Sequence, residues 1–347
     1  MERQLVYQIA LIVLLAGGFS DAQTNSTEVL PEATSDASCE ASQIDEYSMP
    51  WHIAGIFIVL GCSGAGIFST LALGTKAHEP FFARILQIIK MFGIGVIAAT
   101  GWCHLIPDAF ESFTSECLPE GWATYGGAFV GVFALASSFI AQSIELAAGV
   151  THSHGIPPPS PVVIKPDVPH PHGSEVLQLE TESHRRSQGI STMILEAGII
   201  FHSIIIGLSL GVTGDLNTFK TLLTAICFHQ FFEGLALGAL IAKLESGAIF
   251  KFFVMGLIYP LTTPIGMMIG IGIRTSYNEN ASGAILAEGI LNSLSAGILL
   301  YNTYAELLST EVNHNETFKN FRPKYKMMNM LALYCGAASM AVLAYWA

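Results

Sequence analysis

Two stretches of this sequence each place one histidine and two glycines at the same spacing within apolar surroundings. One reads HSIIIGLSLG from His202 and the other reads HQFFEGLALG from His229. In the second stretch Glu233 follows His229 by four residues, so both side chains lie on one face of a helix. Neutral imidazoles and a carboxylate that face each other can hold a divalent cation. The pattern therefore predicts a metal site that contains His202, His229 and Glu233.

The energetic cost of Glu233 supports this prediction. The residue lies in the middle of an apolar run, where a charge costs at least ~2.5 kcal/mol on an insertion scale, and a bound cation would remove that penalty. A structural role is the alternative, in which His229 only hydrogen-bonds Glu233 and holds the helices together. Each stretch also has two glycines, and their spacing predicts that the two helices approach each other through them. These glycines are Gly207 and Gly211 in the first stretch, and Gly234 and Gly238 in the second.

A third motif, HLIPDAFE, contains His104, Asp108 and Glu111. Pro107 lacks an amide hydrogen and can open the helix, while His104 and Asp108 lie one turn apart on one face. Such a cluster at the mouth of a helix bundle would attract cations and pass them inward. An interfacial helix end with ordinary charged residues is the alternative explanation.

The helices that must position these residues lie in a membrane. Of the 347 residues, 51% are hydrophobic and 12% are charged, whereas a soluble domain has roughly 25% charged residues. The net charge of −12 argues against a nucleic-acid partner, which would require clustered cations. Six cysteines are too few for a disulfide-built scaffold. The fold class is therefore an all-α integral membrane protein, with the lipid bilayer as its surroundings.

Eight apolar stretches are long enough to cross about 30 Å of hydrocarbon as helices. The longest connection lies between the third and fourth of these stretches. The predicted spans are residues 51–74, 85–107, 122–146, 191–213, 219–242, 249–273, 283–307 and 327–347. Spans one to three form a segment at 49–146, and spans four to eight form a segment at 191–347.

The N-terminus predicts the orientation. Residues 1–22 have a basic start, an apolar run and a small-residue end, as in a secretory signal peptide, with a ninth span as the alternative. Residues 23–48 would then form a polar extracellular tail. With this orientation most of the Lys and Arg residues in the connections face the cytoplasm, and only Lys220 and Arg274 remain outside. We expect both termini to be extracytoplasmic in a plasma-membrane protein, with an endomembrane as the alternative.

The orientation also predicts modifications on the outer side. Cys39 and Cys117 would both lie in an oxidising compartment, where a disulfide between them can persist. Asn25 and Asn280 begin N-x-S/T triplets on the same side, so glycosylation of both is expected.

The connection 147–190 has a different composition from the spans. It is rich in proline and lacks apolar periodicity, which predicts a mobile cytoplasmic loop. His152 and His154 form one H-x-H pair and His170 and His172 form another, and such pairs can share Zn²⁺. A merely polar loop is the alternative.

Together these motifs resemble the ZIP (Zrt/Irt-like) family of divalent metal transporters, in the plant and fungal branch of zinc-regulated and iron-regulated transporters. The resemblance covers nearly the whole chain after the signal peptide, including HSIIIGLSLG, HQFFEGLALG, HLIPDAFE and the histidine-rich loop. It implies eight helices in a 3+2+3 bundle with an inverted repeat, which is usually dimeric and is thought to move as an elevator. The loop histidines would match the family's metal-sensing segment.

The resemblance also implies a ligand set and a function. Other branches have a Glu four residues after the first histidine, but here this position is Ile206, so we expect a single main metal site. The expected activity is uptake into the cytoplasm of Zn²⁺, with Fe²⁺ or Mn²⁺ as further substrates, by a homodimer. The implied ligands lie between the fourth and fifth spans at His202, Ser203, His229, Gln230 and Glu233.

Two other classes of protein also fit histidines on several helices. An intramembrane zinc hydrolase could use such a site, but the chain contains no H-E-x-x-H motif. A metal-sensing receptor that does not transport is the second alternative. Metal flux into proteoliposomes separates both classes from a transporter.

Overall fold

The computed structural model describes residues 39, 47–153, 172–243 and 256–346. All regular secondary structure in these ranges is helical, and eight helices are long and apolar enough to cross a membrane. The protein is therefore a multi-pass membrane protein of the all-α class. The signal peptide at 1–22, nearly all of the tail at 23–48, and Asn25 lie outside the described residues.

We number the eight long helices α1 to α8. Two short helices, Glu120–Tyr125 and Glu316–Lys319, lie in the connections. The long helices are α1 Met49–Gly74, α2 Pro80–Phe113, α3 Ala128–Ser153, α4 His172–Val212, α5 Leu216–Lys243, α6 Gly256–Ile273, α7 Ser282–Asn313 and α8 Pro323–Leu343.

Helices α2 and α7 extend beyond the predicted spans, and each contains a π-helical segment. In α2 this segment is Thr100–Leu105, and in α7 it is Asn302–Asn313. Such wide turns are rare in helices and occur frequently at functional sites. The third span begins later than predicted, since Gly126 adopts a positive φ of 45° and separates the short helix from α3.

The prediction of a mobile loop over 147–190 is wrong at both ends. Helix α3 continues to Ser153 and helix α4 begins at His172. The sequence from 174 to 188 has no proline and is rich in Glu, Leu, Gln and Arg, which favour helix, so α4 forms upstream of the apolar span. Residues 154–171 lie outside the described residues.

The α4–α5 connection is short, since α4 ends at Val212 and α5 begins at Leu216. A capping residue defines the start of α5. The Asp215 carboxylate accepts a hydrogen bond of 2.6 Å from the Thr218 amide, as an N-terminal capping residue does. The same hydrogen bond holds the pKa of Asp215 below its usual value. The turn sends α5 back antiparallel to α4, which brings the two histidine stretches to the same depth.

The helices pack as two groups. Helix α1 packs against α5 and α6, and α4 packs against α6; in the second group α2 packs against α8, and α7 packs against α3 and α2. Contacts between the groups run mainly through α2 with α5 and α7 with α4. A buried ion pair between Lys90 of α2 and Glu311 of α7 joins two helices of the second group.

The expectation that the repeated glycines bring α4 and α5 together is wrong. A Cβ atom added at Gly207 would collide with the backbone carbonyl of Thr263 in α6. A Cβ atom at Gly234 would lie 2.9 Å from the Ser63 carbonyl oxygen in α1. Gly211 and Gly238 contact the same two partner helices, α6 and α1 respectively. The glycines therefore allow α4 to pack closely against α6 and α5 to pack closely against α1. His202 and His229 face each other on a different side of these helices.

Candidate metal site

His104 reaches the centre of the bundle from the π-helical segment of α2. The segment ends at Leu105, and Pro107 follows in the first turn of the continuing helix, where its missing amide hydrogen is tolerated. The His104 side chain is 4% exposed. The structure thus places His104 next to the central histidines, while it also lies beside Asp108, with which the sequence grouped it.

His202 and His229 face each other across α4 and α5. Their Nε2 atoms are 3.2 Å apart, and both side chains are buried. The ring centroid of His104 lies 5.2 Å from that of His202 and 5.3 Å from that of His229. Each of the three residues offers one ligand nitrogen, and these nitrogens all lie within 4.8 Å of one another.

Glu233 adds a carboxylate to the three imidazoles. Its Oε1 atom lies 3.3 Å from Nε2 of His229 and accepts a hydrogen bond of 3.3 Å from the Thr100 hydroxyl. Two ligands of one tetrahedral zinc ion lie about 3.3 Å apart when the bonds are about 2.0–2.1 Å long. The spacings at His229 therefore match those of ligands that share one ion.

Hydrogen bonds alone do not satisfy this cluster. Nε2 of His229 faces both His202 and Glu233, and a neutral imidazole nitrogen has either one hydrogen or one lone pair. A hydrogen on that nitrogen can form a full hydrogen bond with Glu233 or with His202 but not with both, and a lone pair there repels the carboxylate. Three further buried polar atoms have no hydrogen-bond partner. These are Nε2 of His104, Nδ1 of His202 and Oε2 of Glu233.

The two ligands implied only by the resemblance differ from each other. The Ser203 hydroxyl is buried and has no hydrogen-bond partner, so it can contact an ion. The Gln230 amide is already engaged by α6, since its Oε1 accepts a 2.6 Å hydrogen bond from the Tyr259 hydroxyl and its NH₂ donates to Thr263. Gln230 therefore faces α6.

An acidic cavity leads from the surface to His104. It has a volume of about 350 Å³ and opens on the side of the bundle that carries the α2–α3 and α6–α7 connections. Asp108, Glu111 and Glu288 line it, and Oδ2 of Asp108 lies 3.4 Å from Nδ1 of His104. A carboxylate on the second nitrogen of a ligating histidine fixes its orientation and raises its basicity.

Glu288 is a cavity residue that sequence reasoning did not single out. It is the one acidic residue in the first half of α7, and an ionisable group within an apolar span is the signal that points to it. Ile206, at the position where the resemblance implies a Glu in other branches of the family, also lines the cavity.

The remaining predicted residues lie away from the cluster. Cys39 and Cys117 are joined by a disulfide on the side where the cavity opens, which is the pairing proposed from the sequence. Asn280 is half-buried and lines the cavity, whereas Asn25 lies outside the described residues. His154 and His170 also lie outside them. His152 and His172 are in the last turn of α3 and the first turn of α4, but their side chains are not described.

The fold and the cluster define a class of protein. The protein is a multi-pass helical protein with a buried group of imidazoles and a carboxylate, which is reached through an acidic cavity. This arrangement is expected of a membrane protein that binds or transports cations. The chain belongs to the ZIP zinc transporter family, which matches residues 49–344. Members of this family are metal transporters and not enzymes, so the hydrolase alternative is excluded.

Individual relatives agree with the family. "Fe(2+) transport protein 1" of Arabidopsis thaliana is 32% identical over 99% of this chain and 98% of its own length. "Probable zinc transporter 8" of the same plant is 32% identical over 99% of both chains. "Zinc-regulated transporter 1" of Candida albicans is 35% identical over 89% of this chain and 63% of its own length.

Proposed function

We propose that this protein carries Zn²⁺ into the cytoplasm through a site formed by His202, His229 and Glu233, with His104 as a further ligand. The observation that carries the proposal is the convergence of buried imidazole nitrogens and a carboxylate that hydrogen bonds cannot satisfy together. Of these groups, His202, His229 and Glu233 are each 1% exposed. A divalent cation neutralises the carboxylate and supplies the missing partner for each lone pair.

The acidic cavity supplies the entry route. Asp108, Glu111 and Glu288 concentrate cations at its mouth, and His104 forms its inner end. An ion that enters the cavity meets the carboxylates first and the imidazoles afterwards. It can therefore replace its bound water molecules with protein ligands in steps. A transported ion must also leave, so a site with few ligands is appropriate.

The direction of transport follows from orientation. The side on which the cavity opens has few cations in its connections, and the positive-inside rule makes it the outer side. Both termini are then extracytoplasmic, and the His-x-His pairs of the α3–α4 connection receive the ion in the cytoplasm. An inside-negative potential would favour entry by about 2.3 kcal/mol per charge per 100 mV. The plasma membrane is the location that we propose.

The choice of metal rests on ligand chemistry and on the relatives. Imidazole suits Zn²⁺ and Fe²⁺, whereas Mn²⁺ prefers sites rich in carboxylate. The relatives are named as zinc and Fe(2+) transporters. We therefore propose Zn²⁺ as the main substrate, Fe²⁺ as a second and Mn²⁺ as a weaker one.

The helix packing supports an inverted repeat and a 3+2+3 arrangement. Exchanging α1 with α6, α2 with α7, α3 with α8 and α4 with α5 converts each main contact into another one. The α1–α5 contact becomes α6–α4, α2–α8 becomes α7–α3, and α2–α5 becomes α7–α4. The two π-helical segments, in α2 and α7, also exchange. We propose that α1, α4, α5 and α6 carry the ion and move against the other four helices, in a homodimer.

Zinc flux into proteoliposomes tests the function and the site together. We expect uptake by the wild-type protein, and a loss of uptake by His229→Ala and Glu233→Ala at equal protein content. His78→Ala and Glu79→Ala are matched controls, because both side chains are mostly exposed. Unchanged uptake in His229→Ala or Glu233→Ala would refute the site, and no flux in the wild type would favour a metal-sensing receptor.

A further inference from the structure

A second cavity lies at the end of the bundle opposite the acidic cavity. It has a volume of about 860 Å³ and is formed by the first turns of α2 and α8 and the end of α5, and we call it the α2–α8 cavity. Its walls are largely apolar and include Phe81, Ile85 and Met328. Phe81 is 65% exposed and Met328 is 46% exposed, so the apolar wall continues onto the lipid-facing surface.

The charge of this cavity has one sign. Among its described lining residues the charged side chains are Arg84 and Arg322. Within the described ranges neither arginine forms an ion pair with a carboxylate. The lining residue Gln87 donates a hydrogen bond to the buried carboxylate of Glu311, which also accepts one from Lys90, and the lysine charge balances it. The two guanidinium groups therefore keep their positive charge available.

Arg84 is held in place without using all of its donors. Its Nε donates to the Pro80 carbonyl oxygen at 3.2 Å, and its Nη1 donates to the Tyr325 hydroxyl at 3.3 Å. The guanidinium also lies over the Tyr325 ring, 5.7 Å from the centroid. A guanidinium has five N–H donors and binds phosphate with two of them at once. Its remaining donors can bind a phosphate group at the mouth of the cavity.

We propose that the α2–α8 cavity binds one anionic phospholipid. Its phosphate contacts Arg84 and Arg322, and one acyl chain lies along the apolar wall. A ligand with an anionic end and an apolar end is required, because the cationic mouth and the apolar wall belong to one cavity. Basic pockets between membrane helices bind lipid headgroups in this way. The starts of α2 and α8 add the positive ends of two helix dipoles.

The bound lipid contacts both groups of helices. Ala242 of α5, which belongs to the first group, lines the cavity together with residues of α2 and α8, which belong to the second. Ala242 also packs against Gly74 at the end of α1. The bound lipid therefore lies across the boundary between the two groups.

Native mass spectrometry of the full chain with equimolar phosphatidylserine and phosphatidylcholine tests the proposal without any transport measurement. We expect the wild type to retain phosphatidylserine preferentially. Arg84→Ala and Arg322→Ala should each weaken retention about fivefold, and the double variant about 25-fold. Lys220→Ala is the matched control, since its ammonium group lies over Trp51 near the opposite end of the bundle. This control should retain phosphatidylserine as the wild type does.

A second variant protects the test against simple unfolding. Ile85→Trp fills the apolar wall and leaves both arginines in place, and it should reduce phosphatidylserine retention while its helical circular dichroism spectrum stays that of the wild type. Equal retention in the double arginine variant and the wild type would overturn the proposal. It would also be overturned by equal retention of the two lipids, by displacement of the lipid with inorganic phosphate, or by a wild type that binds neither lipid.

Discussion

The effect of replacing His104 on the KM for zinc shows whether this residue is a ligand of the central site or only a residue of the cavity mouth. Its ring lies about as close to His202 as to His229, with centroid separations of 5.2 Å and 5.3 Å, and its Nε2 has no hydrogen-bond partner. Loss of an outer-shell partner of a metal ligand typically costs 10- to 100-fold in affinity, and loss of a ligand costs at least as much. We therefore expect His104→Ala to raise the KM for zinc by about 100-fold or more.

Asp108→Asn is the informative comparison. It keeps the shape of the side chain and removes only the charge that lies 3.4 Å from Nδ1 of His104. We expect a smaller increase in KM, of about tenfold. A simple mouth cluster would instead give two variants with similar effects.

Initial rates of radioactive zinc uptake into proteoliposomes, measured over a range of zinc concentrations, give both KM values. Rates are normalised to the amount of folded protein, and His78→Ala is the control with an exposed imidazole. An unchanged KM in His104→Ala, or an Asp108→Asn variant that is impaired as severely, would refute the assignment of His104 to the central site.

Three further predictions concern packing, entry and a buried ion pair. Gly207→Ala should lower stability by about 1–3 kcal/mol, because its Cβ would collide with α6, whereas Gly272→Ala meets open space and should not, as thermal unfolding will show. Glu288→Gln should slow uptake several-fold at low zinc and low salt, where cation attraction by the cavity matters most. Lys90→Met should destabilise the protein by about 3–5 kcal/mol by leaving Glu311 uncompensated, and adding Glu311→Met should recover most of the loss.

Each of these predictions has a result that contradicts it. Equal melting temperatures for Gly207→Ala and Gly272→Ala would show that the α4–α6 approach is looser than described. Glu116→Gln, an exposed carboxylate in the α2–α3 connection, is the control for entry, and an equal effect would mean that only net charge matters. A double Lys90 and Glu311 variant no more stable than Lys90→Met would mean that the ion pair does not account for the loss.

Much of the architecture can be predicted from the sequence, because apolar length alone specifies a span in a bilayer. All eight spans exist as helices, and His202, His229 and Glu233 meet, since one short turn joins α4 to α5. Their identity as buried ionisable groups made them visible against an apolar background. The family resemblance is confirmed by the match over residues 49–344.

The partners of each helix could not be predicted from the same pattern. Glycine spacing indicates that a helix approaches a neighbour closely, but it does not specify which one, so Gly207 and Gly234 were assigned to the wrong contact. His104 was grouped only with Asp108 and Glu111, because the sequence gives no sign that α2 lies beside α4 and α5 at this residue. Glu288 was passed over because its role depends on α7 lying beside α2.

X-ray absorption spectroscopy of the zinc-loaded, purified protein tests the central site most directly. The measurement uses a background variant in which His152, His154, His170 and His172 are replaced by Ala, so that zinc on the α3–α4 connection does not contribute. We predict one zinc ion with imidazole scattering at about 2.0–2.1 Å, lost when His202 and His229 are both replaced by Ala. Zinc that keeps the same imidazole signal in that double variant would contradict the site.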